Sequence, residues 1–152
     1  MLRHTLIFLV KDKRILLAMK KRGLGVGFWN GVGGKQSGDE SIRQAAVREA
    51  KEEIGVDVRM LRKMAELQFT DNQGKKSSAT VYFCDSWTGV PIESEEMRPS
   101  WFNIDEIPYE QMWPDDRYWL PKLLRGDKLT CQFIFDQDNQ LISQRIEQLK
   151  VR

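Results

Sequence analysis

Three glutamates on one predicted helix are the residues of this chain best suited to chemistry. Glu49, Glu52 and Glu53 are spaced i, i+3 and i+4, which places them on one stripe of a helix. The stripe borders the apolar sector of the helix, and like charges on neighbouring turns repel each other. A divalent cation would relieve that repulsion, and oxygen ligands favour Mg²⁺, with Mn²⁺ as a second choice. A solvated charged helix face is the alternative explanation of the same spacing.

The helix that carries these glutamates has its own start and stop signals. Ser41 followed by Gln44 forms a capping box, and Gly55 supplies the left-handed residue that commonly ends a helix, so we predict a helix over about residues 42–54. A glycine-rich loop, residues 20–35, precedes it. Because glycine lets the backbone approach a ligand closely, this loop is expected to bring main-chain groups near a cation. Its G-x-G patterns are too weak to indicate a dinucleotide-binding fold.

The remaining segments predict paired strands on both sides of the helix. Pairs of apolar runs flanking polar turns predict hairpins within residues 5–19, 63–84 and 130–146. The first pair is continuously apolar, which implies a sheet covered on both faces. The order of strands and helices indicates a single α/β domain over residues 1–152, with a mixed sheet between helical layers.

A second helix is predicted near the end of the chain. Asp115 or Asp116 is a good N-cap, and an apolar stripe follows it. From the residues alone, the aspartates are interpreted as caps and Trp113 as a core residue. The acidic loop at residues 94–96 has two explanations: it faces solvent, or it brings a carboxylate to complete a metal site.

The composition narrows the class of protein. The chain has 152 residues, and 24 basic residues nearly balance 22 acidic ones. A chain with such balanced charge produces no strong positive electrostatic field to attract a nucleic-acid polymer or an anionic membrane, so neither is expected as a partner. Cys84 and Cys131 lie in apolar runs and are expected to be small buried side chains. The apolar run near the N-terminus is too short to span a membrane, so we expect a cytoplasmic protein, and the helix patterns favour a monomer.

The spacing around the glutamates resembles the signature of a known family. The positions that carry the pattern are Gly34, Glu40, Arg48, Glu49, Glu52, Glu53, Gly55 and Val56. This order is similar to the Nudix box of the Nudix hydrolases. The resemblance implies a Nudix-type α/β/α sandwich with a mixed β-sheet between helices. Ala50 departs from the pattern, since the family usually has a bulky aliphatic residue there, which concerns packing and not chemistry.

Further runs resemble one subfamily, the oxidised purine nucleoside triphosphatases. They are MKKRG at 19–23, WNG at 29–31, GGK at 33–35, GVPIESEEMRPSWF at 89–102 and MWPDDRYW at 112–119. The resemblance spreads over most of the chain. It implies a Mg²⁺-dependent hydrolase that converts 8-oxo-dGTP or 2-hydroxy-dATP to the monophosphate and pyrophosphate and so sanitises the nucleotide pool.

The resemblance also implies which residues hold the metal. The Mg²⁺ ligands would be the carboxylates and the main-chain carbonyl of Glu49, Glu52, Glu53, Glu96 and Gly33. One glutamate would take a proton from water, with Glu49 and Glu53 both candidates. Arg48 would orient carboxylates by ion pairing, for instance with Glu40. The loop cations, including Lys20 and Lys35, and the Gly34 backbone are candidates for contacting the triphosphate, although cations at a strand end are often only solvated.

The base would be recognised by a second set of residues in the family. By resemblance, Asn30, Asp115 and Asp116 would read the base edge, Trp113 would stack on the ring, and Thr5, Phe69 and Lys20 would lie around the pocket. Two adjacent carboxylates next to a neutral purine repel each other and lose solvation, so one pKa should rise. One aspartate would then donate a hydrogen bond while the other accepts one.

Two other functions share these features. One is a Nudix hydrolase acting on another nucleoside diphosphate derivative, such as a methylated purine nucleotide or a dinucleoside polyphosphate. The other is a Nudix-fold sensor that binds a nucleotide without turnover, although such a module would be expected to lack one of the helix glutamates. A purely structural protein would not need the glycine-rich loop and the aligned carboxylates together.

Overall fold

The computed structural model describes residues 1–149 and contains ten strands and two α-helices. The strands are β1 Leu2–Lys11, β2 Arg14–Lys20, β3 Trp29–Asn30, β4 Asp57–Arg59, β5 Arg62–Thr70, β6 Lys76–Cys84, β7 Ser86–Thr88, β8 Met97–Asn103, β9 Leu129–Phe135 and β10 Leu141–Gln148. The helices are α1 Ile42–Ile54 and α2 Asp116–Leu124, and a short 3₁₀ turn spans Tyr109–Gln111.

Eight of the strands form one mixed sheet. Its order is β10-β9-β5-β6-β1-β2-β3, with β8 also paired to β2, while β4 and β7 form a separate two-stranded sheet. The pairs β1–β6 and β5–β9 are parallel, and the pairs β5–β6, β9–β10 and β2–β8 are antiparallel. All three predicted hairpins are present.

The sheet is covered on both faces, as its apolar strands predicted. Phe8 of β1 and Leu17 of β2 pack in a cluster with Trp119 of α2. The adjacent residues Ile7 and Leu16 turn to the opposite face, in a cluster that also contains residues of α1. Because alternate side chains of a strand point to opposite faces, the two helices lie on opposite sides of the sheet. The predicted α/β/α arrangement is confirmed.

Helix α1 begins and ends where its signals predicted. Ser41 Oγ accepts a hydrogen bond from the Gln44 backbone at 3.0 Å, and Gln44 Oε1 accepts one from the Ser41 backbone at 2.7 Å. Gly55 ends the helix in the left-handed region at φ 74°. Ala50, the residue that departs from the family pattern, is buried in the cluster beneath α1.

The interpretation of the aspartates as caps of α2 is wrong. Asp115 stands at the N-cap position, but its φ and ψ are already helical and its side chain makes no capping hydrogen bond. Trp113 is only half-buried and does not belong to either core cluster of the described chain. The side chains of Asp115 and Trp113 therefore have a role other than capping or core packing.

The glycine-rich loop fits between two strands that separate. Strands β1 and β2 pair only next to their turn, at Val10–Ile15 and Lys11–Arg14. Beyond it the loop fills the gap: Trp29–Asn30 pairs with β2, and Val32 exchanges two backbone hydrogen bonds with Ile7 of β1. The turn that leads into α1 is therefore bonded into the sheet. None of the helices found within residues 1–149 has the length and apolar character needed to cross a membrane.

Candidate functional site

Glu53 is the most buried carboxylate of the predicted metal set. Its side chain is only 3% exposed, and its Oε1 accepts a hydrogen bond of 2.7 Å from the Gly33 backbone. Burial raises the pKa of Glu53 to about 8; the hydrogen bond from Gly33 opposes the rise, and Glu49 adds to it. A carboxylate is costly to bury without a partner, so this position favours either a proton or a cation beside Glu53.

Arg48 organises the outer side of the same cluster. Its guanidinium donates to Glu40 at 2.7 and 3.0 Å and to Glu49 at 2.9 Å. It also contacts Glu52 at 3.2 Å and the carbonyl of Lys35 at 3.0 Å. Hydrogen bonds from Arg48 lower the pKa of Glu40, while burial raises that of Glu49. The ion pairing predicted between Arg48 and Glu40 is present and ties α1 to the loop before it.

Two glycines allow the loop to lie against β1 and α1. A Cβ on Gly33 would lie 1.9 Å from the carbonyl oxygen of Thr5, and one on Gly34 would lie 2.6 Å from the Glu49 carboxyl carbon. Real atoms do not approach so closely, so a side chain at either position would displace the backbone or the carboxylate. The Gly33–Gly34 turn thus depends on close backbone approach, as glycine permits.

Replacing Gly33 by Ala is expected to lower the free energy of unfolding by more than about 2 kcal/mol, because the new Cβ overpacks against a β1 main-chain atom. Urea unfolding measures this change. Gly38→Ala is the control, since Gly38 has φ +54° but open space around its Cβ position, and backbone strain alone costs about 1–2 kcal/mol. Equal losses in the two variants would contradict the close-approach explanation.

The acidic loop completes the rim of a cleft beside α1. The backbone N–H of Ile92 donates to the carbonyl of Ile54 at 2.9 Å, which ties the loop to the end of the helix. The cleft has a volume of about 390 Å³ and is lined by Arg22, Glu49, Glu52, Glu53, Ser94, Glu95 and Glu96. The structure therefore brings Glu96 to the same cleft as the helix glutamates.

The donor set of this cleft fits a hard divalent cation. The structure holds four predicted carboxylates around one space, with no soft ligand among the lining residues. In the described part of the chain, however, no three of them already converge at metal-ligand distance. Arg48 holds Glu49 and Glu52, and an arginine of the loop, Arg22, holds Glu96 at 3.2 Å. The arginines therefore occupy one oxygen each of Glu49, Glu52 and Glu96, part of the donor set that a cation would use.

The second predicted set centres on two buried aspartates. Asp115 is 3% exposed and Asp116 7%, and the indole of Trp119 donates to Asp115 Oδ2 at 2.8 Å. Burial raises the pKa of both carboxyl groups, and for Asp116 the charge of Asp115 and the hydrogen bond between them raise it further. Asp116 therefore keeps its proton as the pH rises past the ordinary aspartate range, and Asp115 is the acceptor.

Aromatic side chains line a cavity at the start of α2, but neither aspartate of the pair lines it. Trp113 meets Phe28 edge to face at 5.2 Å, and both line a second, open cavity of about 710 Å³ between the glycine-rich loop, the start of α2 and the β9–β10 turn. The amide of Asn30 donates to the Phe28 carbonyl at 3.4 Å. Phe69 stacks on Phe133 at 6.0 Å, on the sheet.

The structure places two of the predicted base-pocket residues nearer the metal cleft. The Thr5 hydroxyl accepts a hydrogen bond from the Gly34 backbone at 3.4 Å. The charge of Lys20 favours the ionised form of Glu53. Thr5 therefore lies at the Gly33–Gly34 turn and Lys20 near Glu53, whereas Lys35 is exposed beyond the turn and its carbonyl is bonded to Arg48.

Two residues at the aspartate pair were not predicted as part of a site. Trp119 lies in the apolar stripe of α2, yet its indole N–H donates a hydrogen bond to Asp115. Tyr109 lies close enough for the charge of Asp116 to add to the effect of burial, which together raise its pKa to about 12. The i, i+4 spacing of Asp115 and Trp119 on one helix could have indicated the first contact, whereas no local pattern indicates Tyr109.

Replacing Asp116 by Asn is expected to reduce the pH dependence of stability. A carboxyl group whose folded pKa is raised stabilises the protein at low pH, and that contribution is lost as the pH rises from the ordinary aspartate range through the raised pKa. Asn cannot ionise, so the loss should disappear. Melting temperatures from pH 5 to 9 measure it: wild type should lose more than the variant, and parallel curves would contradict the buried, protonated Asp116.

Comparison with known proteins places this geometry in a family. The NUDIX domain description matches residues 2–123. Proteins named oxidized purine nucleoside triphosphate hydrolase from Mus musculus and Danio rerio are each 40% identical over 147 residues, which is 96% of this chain and 94% of theirs. The crystal structure of a mutator MutT protein from Bacillus halodurans matches with a TM-score of 0.86 at 25% identity, covering 97% of this chain and 98% of that one. The chain therefore belongs to the Nudix family.

Proposed function

We propose that this chain hydrolyses oxidised purine nucleoside triphosphates, such as 8-oxo-dGTP and 2-hydroxy-dATP, to the monophosphate and pyrophosphate. The observation that carries the proposal is the buried Asp115–Asp116 pair, in which one carboxyl group can donate and the other accept. A shared proton can be placed to match either an oxidised guanine or an oxidised adenine edge. The names of the mouse and zebrafish relatives support the same substrate class.

Nudix hydrolases in general need divalent metal ions and act on small nucleotides, and we propose Mg²⁺ as the cation here. Glu49, Glu52, Glu53 and Glu96, with the Gly33 carbonyl, would hold it. When bound, the cation neutralises charge on phosphate oxygens and lowers the pKa of water. Arg48 then orients Glu49 and Glu52, which it already contacts, while Lys20 and Lys35 add positive charge around the Gly33–Gly34 turn.

Glu53 is the better of the two candidates for accepting a proton from water. Its Oε1 is held by the Gly33 N–H, which leaves Oε2 available. Glu49 is engaged by Arg48 instead.

On the base side, Trp113 stacks on the purine, Asn30 and the aspartates read its edge, and Thr5 and Phe69 lie around it.

Removing the metal is expected to abolish turnover. We expect 8-oxo-dGTP with Mg²⁺ to give the monophosphate and pyrophosphate in equal amounts, and a chelator to reduce the rate at least about a hundredfold, since bound cations supply several kcal/mol to such reactions. Chromatography of the products measures both. Release of orthophosphate and a diphosphate would contradict the proposed bond, and tight binding with no turnover would favour a sensor.

We also propose that residues 1–152 form one domain that works as a cytoplasmic monomer on a small-molecule substrate, with no nucleic-acid polymer or membrane as partner. One chain supplies every residue assigned here to the cleft and to the aspartate pair. Both cysteines are free and buried, which is compatible with a reducing compartment. Sedimentation of the purified protein checks the monomer, and cell fractionation checks the location.

A further inference from the structure

Arg22 forms an ion pair with the predicted metal ligand Glu96. Its guanidinium lies 3.2 Å from Glu96 Oε1 and 3.5 Å from Glu95 Oε2. Both Arg22 and Glu96 are about half exposed, with side-chain exposures of 60% and 46%. Exposed ion pairs of this kind are weak, typically below about 1 kcal/mol, so the contact can exchange with other partners.

The charges of the cleft are strongly unbalanced. Its lining contains one arginine, Arg22, and five glutamates: Glu49, Glu52, Glu53, Glu95 and Glu96. Arg48 offsets part of this charge from the α1 side, and Arg22 offsets part of it from the loop side. A divalent cation held by Glu96 would neutralise charge on the loop side of the cleft as well, and it would repel the guanidinium of Arg22 beside that carboxylate.

The main chain beside Arg22 is anchored independently of this ion pair. The backbone N–H of Lys21 donates to the Glu96 carbonyl at 2.9 Å, and Lys21 Nζ donates to the Ser94 carbonyl at 2.8 Å and to Glu93. These bonds hold the loop whether or not Arg22 contacts Glu96. An exchange of partners by Arg22 would therefore need only side-chain movement, within a cleft that Arg22 already lines.

We propose that Arg22 is an exchangeable counter-charge: it holds Glu96 when the cleft contains no metal, is displaced from Glu96 by the cation, and then binds phosphate oxygens of the nucleotide. The inference rests on the proposed function of the cleft. A guanidinium suits the second role because its planar N–H donors match phosphate oxygens two at a time. Arg22 thus competes with the metal and cooperates with the substrate.

The test is Arg22→Gln, followed by two binding measurements with opposite expected signs. In calorimetry without nucleotide, Mg²⁺ should bind the variant about two- to fivefold more tightly than wild type, since Glu96 no longer has a competing partner. At saturating Mg²⁺, inorganic pyrophosphate should bind about tenfold more weakly, since a charge-assisted contact is lost. Any other combination, including weaker binding of both or no change in either, would overturn the proposal.

Arg145→Gln is the matched control. Arg145 also forms an exposed ion pair, with Glu147 at 2.6 Å on β10, so its loss tests the general effect of removing a surface cation. It should leave both affinities unchanged. The proposed function and the role of Arg22 can fail separately. If wild type binds no Mg²⁺, the proposed function itself is refuted. If wild type binds Mg²⁺ but Arg22→Gln behaves like Arg145→Gln, only the role of Arg22 is refuted.

Discussion

Replacing Glu53 by Gln is expected to lower kcat about 10²–10³-fold while leaving the protein folded and no less stable. The loss follows because Gln keeps the size of the side chain and can still accept from the Gly33 N–H at Oε1, but it cannot hold a cation as a carboxylate does or take a proton. Steady-state rates on 8-oxo-dGTP and thermal unfolding measure the two effects.

Wild type and this variant should differ in how their stability depends on pH. Burial raises the folded pKa of Glu53 to about 8, so its contribution is present below the ordinary glutamate range and is lost as the pH rises from about 4.3 to the raised pKa. In chelator, wild type should therefore lose stability relative to Glu53→Gln between those limits.

A matched control shows whether the loss of activity depends on the position of Glu53 or follows the removal of any carboxylate. Glu106 is exposed and accepts from Asn103 at 2.9 Å, outside the cleft, so Glu106→Gln should keep full activity. A Glu53→Gln variant that turns over like wild type would remove Glu53 from the chemistry. A variant that fails to fold would contradict the view that its charged form is the costly one.

Replacing Asp115 by Asn is expected to reduce the preference for oxidised over unmodified purines about a hundredfold, with little change in Mg²⁺ affinity. Asn can still accept the 2.8 Å hydrogen bond from Trp119, so the helix should keep its packing. It cannot share a proton with Asp116, which removes the donor–acceptor arrangement that we propose reads the base. A site that hydrogen-bonds its substrate discriminates strongly because an unmatched polar group is left unpaired.

The measurement is the ratio of kcat/KM for 8-oxo-dGTP to that for dGTP in wild type and variant. Asp105→Asn provides the control, because Asp105 is exposed in the turn after β8 and should leave the ratio unchanged. An unaltered ratio in Asp115→Asn would remove this residue from base recognition. A loss of turnover on both nucleotides in equal proportion would place it in catalysis.

The parts of the fold with local signals were predictable from sequence. The start of α1 depends on the Ser41 and Gln44 capping box and its end on Gly55, and each acts through neighbours in the chain. The spacing of Glu49, Glu52 and Glu53 likewise places them on one helix face. The acidic loop across the cleft had two explanations from its residues alone, and only the resemblance to the Nudix family selected Glu96 as a metal ligand.

The parts that depend on long-range contacts were not predictable. The side chain of Asp115 has the residue type of an N-cap, but the indole of Trp119 competes for it inside the protein. The separation of β1 from β2, with Val32 bonded to Ile7 in the gap, has no signature in either strand. Nor does local spacing indicate that Arg22 reaches Glu96, which lies far along the chain.

Substrate choice tests the proposed function most directly, and it is measured as kcat/KM of wild type with Mg²⁺ for 8-oxo-dGTP, 2-hydroxy-dATP, dGTP and dATP. We predict values at least about tenfold higher for the two oxidised nucleotides, as expected if Asp115 and Asp116 share a proton next to the base. Equal and low values on all four nucleotides would contradict the account, leaving a Nudix hydrolase whose substrate is a different nucleotide.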